Sequence, residues 1–277
     1  MKYILTLLAF FFIFSPDVFS QEADSLLIDK GNEAMSKKDY KGAVNFYKDF
    51  LQKHTENTRI MVSLGAAYVN MKEYSNALDC FDRAVSIDSN YARALSSRGA
   101  CMIIFKEYSK ARLDLTKALL LDPEDQMTYN SLATLYASQG DTASAFVLWD
   151  EAIKRDPNYL DTYWNRGALF FNLNDFNRAF KDVNKAIEIN PKIPKSFYFR
   201  GTLYKYTKEY DKALADYETA IKLDPNDAEA YVRRGILYLV MGEYAKAIND
   251  MDHGYSLNPD LKEQTKDYYL EAKQKSK

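Results

Sequence analysis

The chain has 277 residues, and its 37 lysines and arginines nearly balance its 39 aspartates and glutamates, for a formal net charge of −2 at pH 7. This balance leaves no basic stripe for nucleic acid and no polybasic run for an anionic membrane surface. The sequence has no CxxC pair, HExxH motif, phosphate-binding loop or GxSxG elbow, and its two histidines, His54 and His253, are far apart. We therefore expect no enzyme, no metal site and no cofactor.

The first twenty residues read as a secretory signal peptide. Lys2 precedes an apolar run over residues 3–14, and Val18 and Ser20 stand at −3 and −1 of a cleavage site before Gln21. The alternative is an uncleaved membrane anchor, but a dozen helical residues reach only about 18 Å, against a hydrocarbon core of about 30 Å. The sequence predicts an exported mature chain, and the lack of an N-x-S/T sequon favours a bacterial periplasm.

From residue 24 onward the chain repeats every 34 residues. A small residue recurs at this spacing without insertion or deletion, at Gly31, Gly65, Gly99, Ala133, Gly167, Gly201 and Gly235. An alanine follows each of them after twelve positions, the first at Ala43. Small residues at fixed offsets on two successive helices indicate helix hairpins that approach closely and stack on their neighbours.

This pattern resembles the tetratricopeptide repeat. Bulky residues hold positions 4, 11 and 24 of most repeats, and proline follows the second helix at Pro123, Pro157, Pro191, Pro225 and Pro259. The resemblance implies an all-α solenoid of αα-hairpins wound as a right-handed superhelix, forming one domain over residues 21–261. Its seven repeats are 24–57, 58–91, 92–125, 126–159, 160–193, 194–227 and 228–261.

Cys80 and Cys101 belong to neighbouring repeats, on facing helices. Cys101 is displaced by about 6 Å along the axis, and the helices are separated by about 8–10 Å, which together exceed the usual reach of a disulfide. We expect two buried free thiols. A disulfide is the alternative in an oxidising compartment.

Arginine at position 7 and aspartate at position 23 occur together, in repeats 3, 5, 6 and 7. Repeats 2 and 4 have neither charge, with Leu64 matched to Cys80 and Leu132 to Leu148, whereas repeat 1 has Lys30 with Phe46 and does not fit. In a hairpin that turns near position 15, positions 7 and 23 lie at almost the same height, so an ion pair is predicted wherever both charges occur; an anion-binding row of arginines is the alternative. The predicted pairs are Arg98 with Asp114, Arg166 with Asp182, Arg200 with Asp216, and Arg234 with Asp250.

The resemblance also implies a binding surface. In this family, positions 2, 5, 9 and 12 of each first helix line the concave groove, and positions 5, 9 and 12 of repeats 2–7 contain a single charged residue, Lys205. Exposed apolar patches of this kind mark binding sites. The predicted groove residues are Val62, Val69, Ile103, Asn130, Thr134, Trp164, Phe171, Tyr198 and Tyr206.

Large aromatic residues in an uncharged groove favour a non-enzymatic scaffold of the cell envelope that binds a protein or peptide partner. The family's carboxylate clamp pairs lysine at position 5 with asparagine at position 9, and no repeat carries that pair. The alternative function is a receptor for a glycan or peptidoglycan fragment. In such a receptor, the rings of Trp164, Phe171 and Tyr198 would stack on sugar rings. Hydrogen bonds to the sugar would come from Asn130, Asp161 and Asn165.

Residues 262–277 follow the last repeat. Their pattern predicts one capping helix, with Tyr268, Tyr269 and Ala272 facing inward and charges facing outward. A polar cap opposes end-to-end stacking of copies, so we expect a monomer.

Overall fold

A computed structural model describes residues 16–276 of the chain. In this part the regular structure consists of sixteen α-helices, without strands, and the predicted all-α class of tandem hairpins is confirmed. None of these helices combines the length and the apolar character needed to cross a membrane. The apolar run of the predicted signal peptide, residues 3–14, lies outside the described residues.

Fourteen of the described helices form seven hairpins, and two short ones follow. The second helices of all seven hairpins start at intervals of 34 residues, beginning at Tyr40. The first helices do the same from the second hairpin onward, beginning at Thr58. The helices are α1 Pro16–Ser36, α2 Tyr40–Lys53, α3 Thr58–Asn70, α4 Tyr74–Ile87, α5 Ala92–Ile104, α6 Tyr108–Leu121, α7 Gln126–Ser138, α8 Thr142–Arg155, α9 Leu160–Asn172, α10 Phe176–Ile189, α11 Pro194–Tyr206, α12 Tyr210–Leu223, α13 Ala228–Val240, α14 Tyr244–Leu257, α15 Leu261–Gln264 and α16 Lys266–Lys275.

Each hairpin turns through one residue with positive φ at position 15 of its repeat. In repeat 3 this residue is Lys106, and the N–H of Glu107 donates to the carbonyl of Met102 at 3.0 Å, as in a Schellman motif. The first helix therefore ends sharply, and the second begins two residues after the turn. The seven turn residues are Lys38, Lys72, Lys106, Gly140, Asn174, Lys208 and Gly242.

Glycine at position 8 allows the two helices of a hairpin to approach closely. A Cβ atom placed on Gly65 would lie 2.4 Å from the ring of Phe81, and one on Gly201 would lie 3.0 Å from the ring of Tyr217. Phe81 and Tyr217 both occupy position 24, are buried and fill the space that glycine leaves. The repeating small residues are thus explained by aromatic and aliphatic side chains on the partner helix.

The helices group into two compact units, one ending at Leu148 and one beginning at Trp149, within α8. Inside each unit, helices pack on their neighbours in sequence, and first helices of adjacent hairpins also touch, as α3 does with α5 and α11 with α13. The sequence predicted one continuous domain. In a repeat array each hairpin contacts only its neighbours, so no central core ties distant repeats together.

The first described helix starts at Pro16, upstream of the predicted cleavage site before Gln21. Further along this helix, Asp24 is buried and its Oδ2 lies 2.8 Å from Nε2 of His54, which follows α2. The hydrogen bond from His54 lowers the pKa of the Asp24 carboxyl. This contact fastens the start of the first hairpin to its end.

The C-terminal segment differs from the single capping helix predicted over residues 262–277. It breaks at Thr265, where φ is −124°; the Thr265 hydroxyl donates to the carbonyl of Leu261 and also bonds Tyr255. Ala272 is buried, as expected, but Tyr268 is exposed. The prediction that Tyr268 faces inward is therefore wrong.

Candidate functional site

The second unit contains a pocket of about 310 Å³ between first helices of successive repeats. We call it the aromatic pocket. Residues from α9, α11 and α13 form its wall, so three hairpins contribute to it. The lining residues are Trp164, Asn165, Ala168, Phe171, Lys195, Tyr198, Phe199, Thr202 and Arg233.

Trp164 is held in place by the next repeat. Its indole Nε1–H donates to Oγ of Ser196 at 3.0 Å, and Ser196 is completely buried. On the ring face, Nζ of Lys195 lies 4.2 Å from the ring centroid, a cation–π distance. The indole is only half-buried, so it is oriented by its neighbours and still presents apolar surface to a ligand.

Phe171 and Tyr206 meet at one edge of the pocket. Their rings are 4.8 Å apart and nearly perpendicular, and Phe176 contacts Phe171 at 5.9 Å. Tyr206 remains 53% exposed, which is high for a side chain in an aromatic cluster. These rings provide an apolar rim beside the open space.

Tyr198 has a second role that sequence reasoning did not predict. It lines the pocket, but it also packs against the buried residues Ala213, Tyr217 and Leu237. Burial raises the pKa of its phenol to about 12. Tyr198 is therefore partly a core residue as well as a residue of the predicted groove.

The groove residues predicted in the first unit are less accessible than expected. Val62 and Asn130 are buried, at 4% and 6% exposure, while Val69, Ile103 and Thr134 are half-buried. Val62 belongs to a hydrophobic core that includes helices of three repeats. The prediction that Val62 and Asn130 are accessible in the groove is wrong, because both side chains, at position 5 of repeats 2 and 4, are buried against neighbouring helices.

Family models match four stretches of the sequence. A model described as TPR repeat matches residues 201–242, and three described as tetratricopeptide repeat match residues 34–101, residues 160–193 with 228–261, and residues 126–155. The chain is a tetratricopeptide repeat protein. Comparison with functionally curated proteins gives no significant match.

Solved structures of tetratricopeptide repeat proteins share its fold. One from Parabacteroides merdae has a TM-score of 0.65 at 21% identity, covering 91% of this chain and 99% of its own. The Cut9–Hcn1 complex of the APC/C has a TM-score of 0.68 at 17% identity, and yeast Tom70 one of 0.63 at 21%. The match to the Cut9–Hcn1 structure covers 93% of this chain and 56% of that one. The match to Tom70 covers 86% of this chain and 59% of that one. The tetratricopeptide fold is typical of non-enzymatic scaffolds for protein–protein interaction.

The arginines at position 7 of this tetratricopeptide repeat protein each contact their own repeat's aspartate. In repeat 3, Arg98 Nε and Nη2 donate to the two carboxylate oxygens of Asp114 at 2.6 and 2.9 Å. This hydrogen bonding raises the pKa of the Arg98 guanidinium. Equivalent two-point contacts join Arg166 to Asp182, Arg200 to Asp216 and Arg234 to Asp250. These arginines are therefore engaged in structural pairs.

Three of these arginines also reach the preceding repeat, which sequence reasoning missed. Nη1 of Arg98 donates to Asp82 at 3.0 Å, and Nη1 of Arg200 donates to Asn184 at 2.9 Å; Arg166 likewise pairs with Asp150. All three acceptors occupy position 25. The signal was available, because position 25 is Lys48 or Thr116 where the next repeat lacks the arginine.

Neither cysteine of the tetratricopeptide repeat protein forms a disulfide in the described structure. Cys101 is buried and its thiol approaches the carbonyl of Tyr74 at 3.5 Å, while Cys80 is half-buried. Burial raises the pKa of both thiols to about 11, so both are protonated and weakly reactive near neutral pH. Residues 16–276 also contain no cluster of histidine, cysteine and acidic side chains fit for a metal ion.

Proposed function

We propose that this protein is a non-enzymatic scaffold of the cell envelope that binds a polypeptide partner through the aromatic pocket. The observation that carries the proposal is Trp164, which is oriented by Ser196 yet only half-buried beside an open pocket. Large, rigid aromatic side chains in such positions dominate the binding energy of protein interfaces. The repeat fold supports the choice of a polypeptide, since scaffolds for protein–protein interaction typically use it.

Trp164→Ala is expected to separate binding from folding. Loss of the indole should weaken partner capture by at least about 2 kcal/mol, on the order of thirtyfold. The free energy of unfolding should fall by only about 1–2 kcal/mol, from the hydrogen bond to Ser196 and part of the ring packing, less than for a fully buried aromatic residue. Capture from envelope extracts by the tagged protein, quantified by mass spectrometry beside a denaturant titration, measures both quantities.

Tyr268→Ala is the matched control, since Tyr268 is an exposed aromatic residue at the C-terminal end of the chain. The Tyr268→Ala variant should capture the same partners as the unchanged protein, in the same amounts. If Trp164→Ala also captures the same partners undiminished, the binding surface lies elsewhere.

A glycan or peptidoglycan fragment is the second candidate ligand. Asn165 lines the pocket next to Trp164, and an amide beside an aromatic face is an arrangement suited to sugars. Soluble peptidoglycan fragments distinguish the two functions. If they bind in a manner that depends on Trp164 and no protein is captured, the receptor function replaces the scaffold.

The localisation proposal rests on the N-terminal sequence alone. We expect the mature protein to begin at Gln21, to be exported to the periplasm, and to be monomeric, with no segment inserted in the membrane. Intact-mass measurement of the protein recovered from an envelope fraction checks this. A mass that still includes residues 1–20 contradicts both cleavage and release into the compartment.

A further inference from the structure

Cations surround the aromatic pocket, although its position 5, 9 and 12 stripe is nearly free of charge. Lys195 and Arg233 line the pocket, and no carboxylate does so. Lys205 lies just beyond them, with its Nζ 4.9 Å from the ring of Tyr206. The pocket is therefore both aromatic and positively charged, in a chain whose net charge is −2.

These cations lack full partners inside the protein. Lys195 and Lys205 form no ion pair within residues 16–276, and their ammonium groups lie over aromatic rings instead. Arg233 Nε lies 3.0 Å from Oε2 of Glu229 but at an angle that makes no hydrogen bond, and this nitrogen is buried. The Arg233 side chain as a whole is 37% exposed, so a ligand in the pocket would contact its other atoms.

The ionisation of the two lysines reflects this crowding. Lys195 is an exposed residue, and partial desolvation beside Trp164 lowers the pKa of its ammonium group, against the opposing effect of Asp161. Burial, together with the charge of Arg233, lowers the pKa of Lys205. The effect of Arg233 on Lys205 is a repulsion between like charges, which an incoming anion would relieve.

The first unit has a separate pocket of the same sign. Arg59 and Arg93 line it together with Asn32, Ser63 and Tyr91, and again no carboxylate contributes. Both arginines are exposed and form no ion pair in the described part of the chain. They occupy position 2 of their repeats, which is also the position of Lys195.

We propose that the polypeptide segment bound by the aromatic pocket is acidic, with a side-chain carboxylate contacting Lys195 and Arg233 and a neighbouring apolar side chain lying on Trp164 and Phe171. This inference rests on the proposed scaffold function and adds the chemistry of its partner. Charge complementarity carries it: Lys195 supplies an ammonium group without an ion-pair partner in residues 16–276, Arg233 supplies a guanidinium that lines the pocket, and the rings supply apolar surface. Arg59 and Arg93 extend the same preference to the first unit.

The test uses an array of short peptides blocked at both ends, so that only side-chain carboxylates differ. Each peptide carries aspartate or glutamate beside leucine, phenylalanine or tryptophan, and its pair carries asparagine or glutamine instead. We expect the full-length protein to bind the acidic member about tenfold more tightly. The difference should shrink as salt is raised from about 0.05 to about 0.5 M.

Lys195→Gln should remove most of this preference, and Lys195→Arg should retain it. Lys222→Gln is the control, because Lys222 is exposed in α12 and does not line the pocket; its preference should be unchanged. The inference is overturned if acidic and amide peptides are bound alike or not at all, or if a polyuronate glycan is bound in preference to the acidic peptides. Equal binding of both peptides that Trp164→Ala abolishes would reject the acidic partner while leaving the scaffold function in place.

Discussion

Replacing Tyr217 with alanine is expected to lower the free energy of unfolding of the second unit by about 3–5 kcal/mol, the usual range for deleting a buried aromatic side chain. Tyr217 is completely buried at position 24 of repeat 6, in contact with Ala213 and Leu237. Its ring fills the space beside Gly201, where a Cβ atom would lie only 3.0 Å from the ring. Truncation would leave a cavity between two helices that are kept close together by a glycine.

Tyr217→Phe is the matched variant for this prediction. It keeps the ring and removes only the hydroxyl, which lies 3.2 Å from Oγ1 of Thr202. Its effect should be about 1 kcal/mol, as for one hydrogen bond. Guanidinium titration monitored by circular dichroism compares the two. Equal losses for both variants would mean that the hydrogen bond, and not ring packing, stabilises the hairpin.

Breaking the Arg200–Asp216 pair from one side is expected to destabilise the protein by about 1–3 kcal/mol. Asp216 is buried, and its two oxygens accept 2.8 Å hydrogen bonds from Arg200. Arg200→Leu leaves that carboxylate buried without its partner, and Asp216→Leu leaves the guanidinium with Asn184 as its remaining hydrogen-bond acceptor. Either single change should therefore lower the denaturation midpoint.

The double variant with leucine at both positions should recover much of this loss. Repeat 4 naturally has this arrangement, with leucine at position 7, Leu132, and at position 23, Leu148. Two apolar residues of suitable volume remove both charges and leave no buried ion without a partner. A double-mutant cycle from urea titrations measures the coupling. Additive losses would show that the two charges do not stabilise each other.

Much of the fold could be predicted because the information recurs every 34 residues. Glycine at position 8 and a large residue at position 24 belong to one hairpin, so the pairing of Gly65 with Phe81 repeats in kind along the chain. The arginine–aspartate pairs follow the same logic. Their partners are always 16 residues apart, and the joint loss of both charges in repeats 2 and 4 made the link visible.

The site was only partly predictable, because it depends on contacts between repeats. Trp164, Phe171 and Tyr198 line one pocket. Lys195 was missed because only positions 5, 9 and 12 of the groove stripe were searched for binding residues, and Arg233 because position 6 lies outside that stripe. Val62 and Trp164 share position 5, yet one is buried and the other half-exposed, and this difference is set by the helices of the adjoining repeat.

By itself, the sequence determined the repeat length, the helix hairpins and the ion pairs within four of the hairpins, since these depend on residues separated by one short turn. Only the tertiary structure decided which groove positions stay open and that Lys195 and Arg233 line the aromatic pocket. The physical reason is distance along the chain. The pocket residues come from three repeats, and their burial and charge environment depend on how successive hairpins pack, which no single repeat specifies.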